Sequence, residues 1–327
     1  MLALSGDDVR ALVPMKTAIE LMKEVFAELS AGKAVSPLRT PIDVPSESAV
    51  SLYMPAYVPS REGLGLKIVS VFPNNREQGK PTIHALVAVI SAKTGEPLAV
   101  IDGTYMTALR TGAVSGAATD LLSRPDSRVV TCIGAGAQGV TQAWAVASVR
   151  PIERIYVADM NPEAVASFSS RLGALAPDLA SKVAPVIDLD AALAESDVIC
   201  TATTSRQPVF DDAALKPGVH INAIGAFTPE MQEIPVATVK RARIVVDAVD
   251  AVLAESGDLI IPINSGELDR SAVSLELGEV ASGAAGRTNE TEITLFESVG
   301  NAVQDIIVAR YAVSEAERLG RGHHFSL

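Results

Sequence analysis

The stretch Val129-Val-Thr-Cys-Ile-Gly-Ala-Gly-Ala-Gln-Gly139 decides the fold class of this chain. Its first five residues are typical of a buried strand, and they run directly into Gly-x-Gly-x-x-Gly, after which a helical pattern covers 138–149. Gly134 permits a tight turn, Gly136 lets the backbone approach a pyrophosphate, and Gly139 lets the following helix pack against the strand. The helix N-terminus would then present free N–H groups to the phosphates.

A second strand, predicted over 154–158, is followed by Asp159, which lies 25 residues after Gly134. An acid near this offset hydrogen-bonds the adenosine ribose 2′-OH, so the whole pattern indicates a nicotinamide dinucleotide site. A βαβ unit with a purely structural glycine turn is the alternative. The carboxylate favours NADH because it would repel a 2′-phosphate, although Asn161 could donate to that phosphate and NADPH stays open. The expected cofactor contacts here are Gly134, Gly136, Ala137, Gln138, Gly139 and Asp159.

Further apolar runs predict strands at 183–187, 198–202, 219–224 and 244–248. Six short β-rich runs alternating with helices predict an α/β fold with a Rossmann-type, doubly wound parallel sheet. The N-terminal part follows another pattern and predicts an α+β domain, with helices at about 14–31 and 105–122 and strands at 48–54, 64–72, 83–90 and 97–101. A C-terminal helix at about 291–312 is long enough to rejoin it. We therefore expect a substrate domain over 1–123, completed by 302–327, and an NAD(P)-binding domain over 124–301.

The composition excludes several classes of protein. The net charge is −12 over 327 residues and no basic stripe is visible, which argues against nucleic-acid and anionic-membrane partners. The sequence shows neither an 18-residue apolar run nor a signal-peptide pattern, so we expect a cytoplasmic protein without a membrane span. Cys132 and Cys200 fall in predicted strands and are expected to be buried, reduced thiols. No Cys or His pair has zinc-like spacing, and we expect no metal.

Three cations in apolar surroundings are the catalytic candidates. Lys67 lies in Leu-Gly-Leu-Lys-Ile-Val, Arg110 in an otherwise uncharged helix, and Arg39 in Pro-Leu-Arg-Thr-Pro. Together they could hold a carboxylate beside the nicotinamide. The alternative is surface snorkelling or salt bridges to acids that the sequence does not reveal. Thr82 and His84 alternate along one predicted strand and would join the cations if they share the face of Lys67. For His84 the alternative is a core or interface histidine whose hydrogen bonds are satisfied.

Further motifs occur along the chain in a specific order. They are Arg39-Thr-Pro, Tyr53-Met-Pro-Ala, Leu66-Lys-Ile-Val, Phe72-Pro-Asn-Asn, Gly79-Lys-Pro-Thr, Thr107-Ala-Leu-Arg-Thr-Gly, the glycine loop, Asn222-Ala-Ile-Gly and Ser298-Val-Gly-Asn-Ala-Val-Gln-Asp. With these motifs the chain resembles the ornithine cyclodeaminase/mu-crystallin family over essentially its whole length. The resemblance implies a Rossmann domain plus a substrate domain whose strands join those of a partner in a homodimer.

The resemblance also implies roles for single residues. Arg39, Lys67 and Arg110 would bind the substrate carboxylate or lie next to it, and Thr82 would line the pocket. Further contacts are expected with the cofactor from Thr111, Thr203, Ala223 and Gly225, and with the substrate from His84, Phe227 and Val299.

One segment departs from the cyclodeaminase pattern. Cyclodeaminases that resemble this chain carry Gly-Gly-Asp-Cys-Pro-Gly-Lys after the fifth strand, whereas this chain has Gly225-Ala-Phe-Thr-Pro-Glu-Met. Phe227 stands in place of the Asp, and a phenyl ring can neither act as a base nor pair with a second ammonium. We therefore expect an NAD(P)H-dependent reductase of small α-imino acids, with Δ1-pyrroline-2-carboxylate to L-proline as the leading reaction. The alternatives are an alanine dehydrogenase, an ornithine cyclodeaminase and a non-catalytic, mu-crystallin-like protein that binds NAD(P)H and a small ligand.

Overall fold

The computed structural model describes residues 1–326, apart from the side chain of Arg76. Its strands are β1 Leu2–Leu4, β2 Thr40–Val44, β3 Ala49–Val58, β4 Gly63–Val71, β5 Ile83–Ser91, β6 Pro97–Asp102, β7 Val129–Ile133, β8 Arg154–Ala158, β9 Val183–Pro185, β10 Val198–Thr201, β11 His220–Ala223, β12 Arg243–Val246, β13 Thr294–Glu297 and β14 His323–His324. Its helices are α1 Gly6–Leu12, α2 Met15–Ser30, α3 Gly103–Leu122, α4 Ala137–Val149, α5 Pro162–Leu175, α6 Leu189–Glu195, α7 Val236–Arg241, α8 Val249–Glu255, α9 Gly257–Asn264, α10 Leu277–Ala281 and α11 Ala302–Leu319.

The chain divides into two compact units. The first comprises Met1–Arg110 and the C-terminal segment from Asn301, and the second comprises Thr111–Gly300. The first division falls inside α3, a continuous helix of twenty residues whose first eight residues belong to the first unit and the rest to the second.

The first unit contains a mixed sheet with the strand order β14-β1-β6-β5-β4-β3-β2. Strands β2 to β6 pair antiparallel with their neighbours, and β1 adds in parallel to β6. Helix α11 packs against β3, β4 and β5, and α2 packs against α11. One face of this sheet is therefore covered by helices of the same unit, and Lys67 of β4 points toward α11, where it meets Asp305.

The opposite face of this sheet is apolar and exposed. Its register aligns Leu86, Ile68 and Tyr53 across three strands, and Ile90, Leu64 and Tyr57 two rows further along the same face. Leu86 is 42% exposed and Tyr57 is 38% exposed. Large hydrophobic side chains are seldom so exposed on a sheet face that is covered by other elements.

The second unit contains a parallel sheet with the order β12-β13-β11-β10-β7-β8-β9. This confirms the doubly wound α/β fold, because the strand order reverses at β7. Apolar residues cover both faces, with one core cluster around Val130, Ile155 and Phe168 and another around Ile199, Ile221 and Leu295. Open α/β sheets bind ligands outside the carboxyl ends of their strands, at the point of reversal. The glycine loop after β7 lies there.

The helix expected over 291–312 is wrong in its first part. Residues 294–297 form β13, inserted between β11 and β12, and α11 begins only at Ala302. Gly300 has φ +85°, a conformation that ends any helical path, and the Asn301 side chain accepts the Val303 N–H at 3.1 Å as an N-cap. The sequence also failed to indicate β1, β2 and β14.

Candidate functional site

The glycine loop of the second unit has the geometry that a dinucleotide site requires. Gly134 has φ +105°, and a Cβ there would lie 2.5 Å from the Ala202 carbonyl oxygen. A Cβ on Gly139 would lie 1.9 Å from the Gly134 carbonyl oxygen. These two positions therefore accept only glycine. In contrast, no heavy atom lies within 4 Å of the Cβ position of Gly136, so its backbone borders open space.

The start of α4 fits the pyrophosphate of such a cofactor. Gly136 is the N-cap residue, so no side chain caps the helix, and the exposed Ala137 opens its first turn. The N–H groups of this thirteen-residue helix offer hydrogen bonds and a partial positive charge to an anion beside Gly136. The side-chain oxygen of Gln138 is buried and has no hydrogen-bond partner within residues 1–326; as an acceptor it would not bind the phosphates themselves.

Asp159 is held in place by backbone groups. One carboxylate oxygen accepts the Ala135 N–H at 2.6 Å and the other accepts the Asn161 N–H at 2.8 Å. An ionised carboxylate can accept about four hydrogen bonds, so both oxygens keep capacity for a ribose diol. The side chain is exposed after β8, where the sequence placed the ribose acid.

Arg171 of α5 is a cation near this acid that the sequence did not reveal. Its guanidinium donates to the carbonyl oxygens of Ala135 and Ala164, the latter at 2.9 Å. Burial lowers the pKa of Arg171, and the negative charge of Asp159 opposes this shift. The Asp159 carboxylate thus accepts the Ala135 N–H while the Arg171 guanidinium donates to the Ala135 carbonyl oxygen. Together the two side chains fix this residue of the glycine loop.

The remaining predicted cofactor residues lie at strand ends or on α3 of the same unit. Thr111 is buried, and its carbonyl accepts the Gln142 amide at 3.1 Å. Ala223 ends β11, and Thr203 and Gly225 lie in the loops after β10 and β11, where both backbone N–H groups donate to Glu233.

In the first unit, Lys67 and Arg110 meet at one buried carboxylate. Lys67 Nζ lies 2.7 Å from Asp305 Oδ2, and Arg110 Nε lies 3.2 Å from Asp305 Oδ1. Arg110 also donates to the Gln304 side-chain oxygen. The side chains of Lys67 and Asp305 are 1% and 0% exposed, so this cluster is shielded from water. Asp305 and Gln304 were not predicted from the sequence.

The charges in this cluster do not balance. Two cations share one carboxylate, which leaves one surplus positive charge in a water-poor environment. Burial, and next the charge of Arg110, lower the pKa of Lys67 to about 8, while Asp305 opposes this shift. An uncompensated buried cation is costly unless an anion joins it. The arrangement therefore suits a ligand that carries one carboxylate, beside a lysine that can release a proton near neutral pH.

Two other predicted substrate residues, Arg39 and Thr82, also lie in the first unit. Arg39 is half-buried just before β2, and its charge also lowers the pKa of Lys67, which puts it within electrostatic reach of the cluster. Thr82 is half-buried and precedes β5, where its carbonyl accepts the Phe72 N–H at 2.8 Å.

His84 does not share the face of Lys67. It pairs with Ser70 on β4, whereas Lys67 pairs with Val87, so the alternation along β5 puts His84 on the exposed, apolar face. His84 was expected to join the cations only if it shared the face of Lys67. Within one chain it does not, because along β5 (Ile83–Ser91) His84 and Val87 point to opposite faces.

Phe227 and Val299 lie in the second unit. Phe227 is half-buried in the loop after β11, and Val299 is 6% exposed between β13 and the segment leading to α11. Cys132 and Cys200 are buried, and neither is in a disulfide. Within residues 1–326, no cluster of three or more His, Cys, Asp or Glu side chains could hold a metal ion. No described helix is long and apolar enough to cross a membrane.

Comparison with known proteins gives a consistent result over the full length. Residues 2–319 match the model of the ornithine cyclodeaminase/mu-crystallin family. A Δ1-pyrroline-2-carboxylate reductase of Bacillus cereus is 39% identical over 325 residues, which cover 98% of each chain.

Two solved structures are similar throughout. The Thermococcus litoralis Δ1-pyrroline-2-carboxylate reductase in complex with NADH and L-proline has a TM-score of 0.94 and 41% identity, covering 99% of this chain and 100% of that one. An archaeal alanine dehydrogenase, described as a dimer with bound NAD, has a TM-score of 0.91 and 34% identity, covering 100% of this chain and 99% of that one.

Proposed function

The chain belongs to the ornithine cyclodeaminase/mu-crystallin family, and we propose that it is an NAD(P)H-dependent reductase that converts Δ1-pyrroline-2-carboxylate to L-proline. The observation that carries this proposal is the buried cluster in which Lys67 and Arg110 share Asp305 and retain one surplus positive charge. The charge matches the single carboxylate of a small imino acid. The same chain carries the glycine loop and Asp159, which fit NADH.

Arg110 and Arg39 would bind and orient the substrate carboxylate in this reaction. A guanidinium can contact both carboxylate oxygens, and Asp305 and Gln304 already hold that of Arg110 in one orientation. Orientation of a bound substrate can contribute up to roughly 7–11 kcal/mol to lowering the barrier. A fixed carboxylate also fixes the adjacent imine carbon, since the two carbons are directly bonded.

Lys67 is the proposed proton donor. Its ammonium would protonate the imine nitrogen, which makes the imine carbon a better electrophile, and its pKa of about 8 suits proton release near neutral pH. NADH, when bound, supplies the hydride that this carbon accepts. The imine thus gains one hydride and one proton and becomes the secondary amine of proline, and Lys67 is reprotonated from water.

The loop with Phe227 separates this function from cyclodeamination. A diamino acid brings a second ammonium that needs an anionic partner, and the side chain of Phe227 offers none. An apolar ring instead suits the methylene groups of a cyclic imine.

We also propose that two copies of the chain assemble through the exposed apolar face of the first sheet. The archaeal alanine dehydrogenase is described as a dimer, and the rows of Leu86, Ile68 and Tyr53 supply an apolar surface that a second copy could cover. His84 lies on the same face, so an interface role is the alternative to substrate contact. Leu86→Arg should convert the dimer to a monomer in analytical ultracentrifugation. A wild-type protein that sediments as a monomer would contradict this assembly.

The experiment that tests the function is a substrate panel followed at the NADH absorbance band. It compares cyclic imines, 2-oxo acids with ammonia or methylamine, and 2-oxo acids alone. L-Ornithine with NAD+ is assayed by ammonia release, because cyclodeamination leaves no net change in NADH. The proposal expects the fastest oxidation of NADH with Δ1-pyrroline-2-carboxylate. Faster turnover of pyruvate with ammonia would identify an alanine dehydrogenase instead. NADH binding without turnover of any compound would favour a binding protein.

A further inference from the structure

A single buried carboxylate joins the loops that follow β10 and β11. Glu233 is 0% exposed. It accepts the Thr201 hydroxyl at 2.8 Å, the Thr203 N–H at 2.6 Å and the Gly225 N–H at 2.8 Å. Thr201 ends β10, and Gly225 lies two residues after β11 ends. Two adjacent strand ends of the parallel sheet are therefore tied together by one side chain.

The packing around Gly225 shows how close this contact is. A Cβ at Gly225 would lie 2.3 Å from the Thr203 carbonyl oxygen and 2.5 Å from Glu233 Oε2. No other residue type fits here unless the loop after β10 or the carboxylate moves. The glycine is thus explained by Glu233 and Thr203, before any ligand is considered.

Two further buried acids lie within electrostatic reach of Glu233, and Asp258 also holds its backbone. Asp258 of α9 accepts the backbone N–H groups of Glu233 and Ile234 at 2.7 and 2.8 Å. Glu297 of β13 accepts the Ser256 hydroxyl at 2.8 Å. One oxygen of Asp258 and one of Glu297 lack a hydrogen-bond partner within residues 1–326.

The three acids differ in the number of hydrogen bonds that oppose the cost of burial. Burial, and next the charge of Glu233, raise the pKa of Asp258 to about 8. Burial, and next the charge of Asp258, raise the pKa of Glu297 well above its usual range, and Glu233 and Asp247 add to this repulsion. Burial also raises the pKa of Glu233, but its three donors oppose this and favour its ionised form.

We propose that Glu233 is a positioning residue for the dinucleotide, holding the loops of Thr203 and Gly225 at the carboxyl edge of the sheet in the conformation that binds the cofactor. This inference rests on the proposed function, because it assumes that the dinucleotide lies along this edge. It adds that a side chain outside the glycine loop sets cofactor affinity without touching the cofactor.

The test uses Glu233→Gln, with Thr201→Val as a milder variant. Thr131→Val is the matched control, because the Thr131 hydroxyl makes an equally buried hydrogen bond, at 2.6 Å to Ser196, away from these loops. Amide hydrogen exchange at Thr203 and Gly225 is measured without cofactor, and the Kd for NADH by fluorescence titration. Glu233→Gln should speed exchange and raise Kd by roughly tenfold or more, as expected for losing a hydrogen bond to a charged group. The kcat at saturating NADH should change far less.

Thr201→Val should raise the Kd for NADH by roughly threefold, and Thr131→Val should leave it unchanged at a similar loss of Tm. A folded Glu233→Gln variant with wild-type Kd would overturn the inference. If Glu233→Gln does not fold, equal Kd values for Thr201→Val and Thr131→Val would do so. A wild-type protein that binds no NADH would instead refute the proposed cofactor, while the exchange data would still show whether Glu233 holds the loops.

Discussion

Neutralising Asp305 should shift the pH dependence of catalysis by more than one pH unit. In the wild-type protein Lys67 has a pKa of about 8, and kcat/KM should fall above that pH because the reaction needs its ammonium. Asp305→Asn removes the shared carboxylate, which lies 2.7 Å from Lys67, while the charge of Arg110 remains. Losing one partner of a buried ion pair costs about 3–5 kcal/mol. One pKa unit corresponds to about 1.4 kcal/mol, so even half of this cost, about 1.5–2.5 kcal/mol, moves the pKa of Lys67 below 7.

The assay is the pH profile of kcat/KM for imine reduction, with Glu315→Gln as the control. Glu315 lies on the same helix α11 but pairs with Arg318 at the surface, so its loss should leave the profile unchanged. An Asp305→Asn profile that still falls near pH 8 would refute the assignment of Lys67 as proton donor.

The free energy of unfolding should change with pH in the opposite direction to kcat/KM over the same pH range. The pKa of Lys67 is about 8 in the folded protein and 10.5 for an unperturbed lysine, as in the unfolded chain. Between these two pH values the unfolded chain therefore binds more protons than the folded protein. The contribution of Lys67 to the free energy of unfolding therefore rises with pH from about 8 to 10.5, while catalysis declines. Chemical denaturation at several pH values separates the two effects.

Three further outcomes follow from the site. Arg110→Met should lower kcat/KM more than about 100-fold, the equivalent of roughly 3 kcal/mol for a charge-assisted contact, and leave the Kd for NADH nearly unchanged in fluorescence titration. Asp159→Ser should raise the ratio of kcat/KM for NADPH to that for NADH, since it removes the carboxylate that would repel a 2′-phosphate; a wild-type preference for NADPH of about tenfold or more would contradict the orientation given to Asp159. Purified protein should form little or no proline and ammonia from L-ornithine with NAD+, because Phe227 offers no carboxylate; a rate that rivals imine reduction would remove that argument.

The sequence indicated most of the second unit because its signals are local. The glycine loop, β7 and β8 are contiguous in the chain, so their spacing predicts the dinucleotide site, and the alternation of short β-rich runs with helices predicts the parallel sheet. Strand β13 was missed because Thr294–Glu297 is buried on both faces and shows no strict alternation of polar and apolar residues, so this short stretch could not be separated from the helix that follows.

The partners of the predicted cations could be found from the sequence only in part. Asp305 and Gln304 lie in the apolar stretch Ala302-Val-Gln-Asp-Ile-Ile-Val-Ala309, where polar residues stand out for the same reason as Lys67 did. Which acid meets which cation depends on the packing of α11 against β4, and no local pattern reports that contact. The same holds for Glu233, whose three donors come from the end of β10 and from two separate loops.

The most direct test of the central claim is to follow the transferred hydride itself. Purified protein is supplied with Δ1-pyrroline-2-carboxylate and NADH that carries deuterium at the transferable position of nicotinamide C4, and the product is examined by mass spectrometry and NMR. The account predicts L-proline with one deuterium on its α-carbon, formed in equal amount to the NAD+ released. Absence of proline, or proline without deuterium at that carbon, would contradict it.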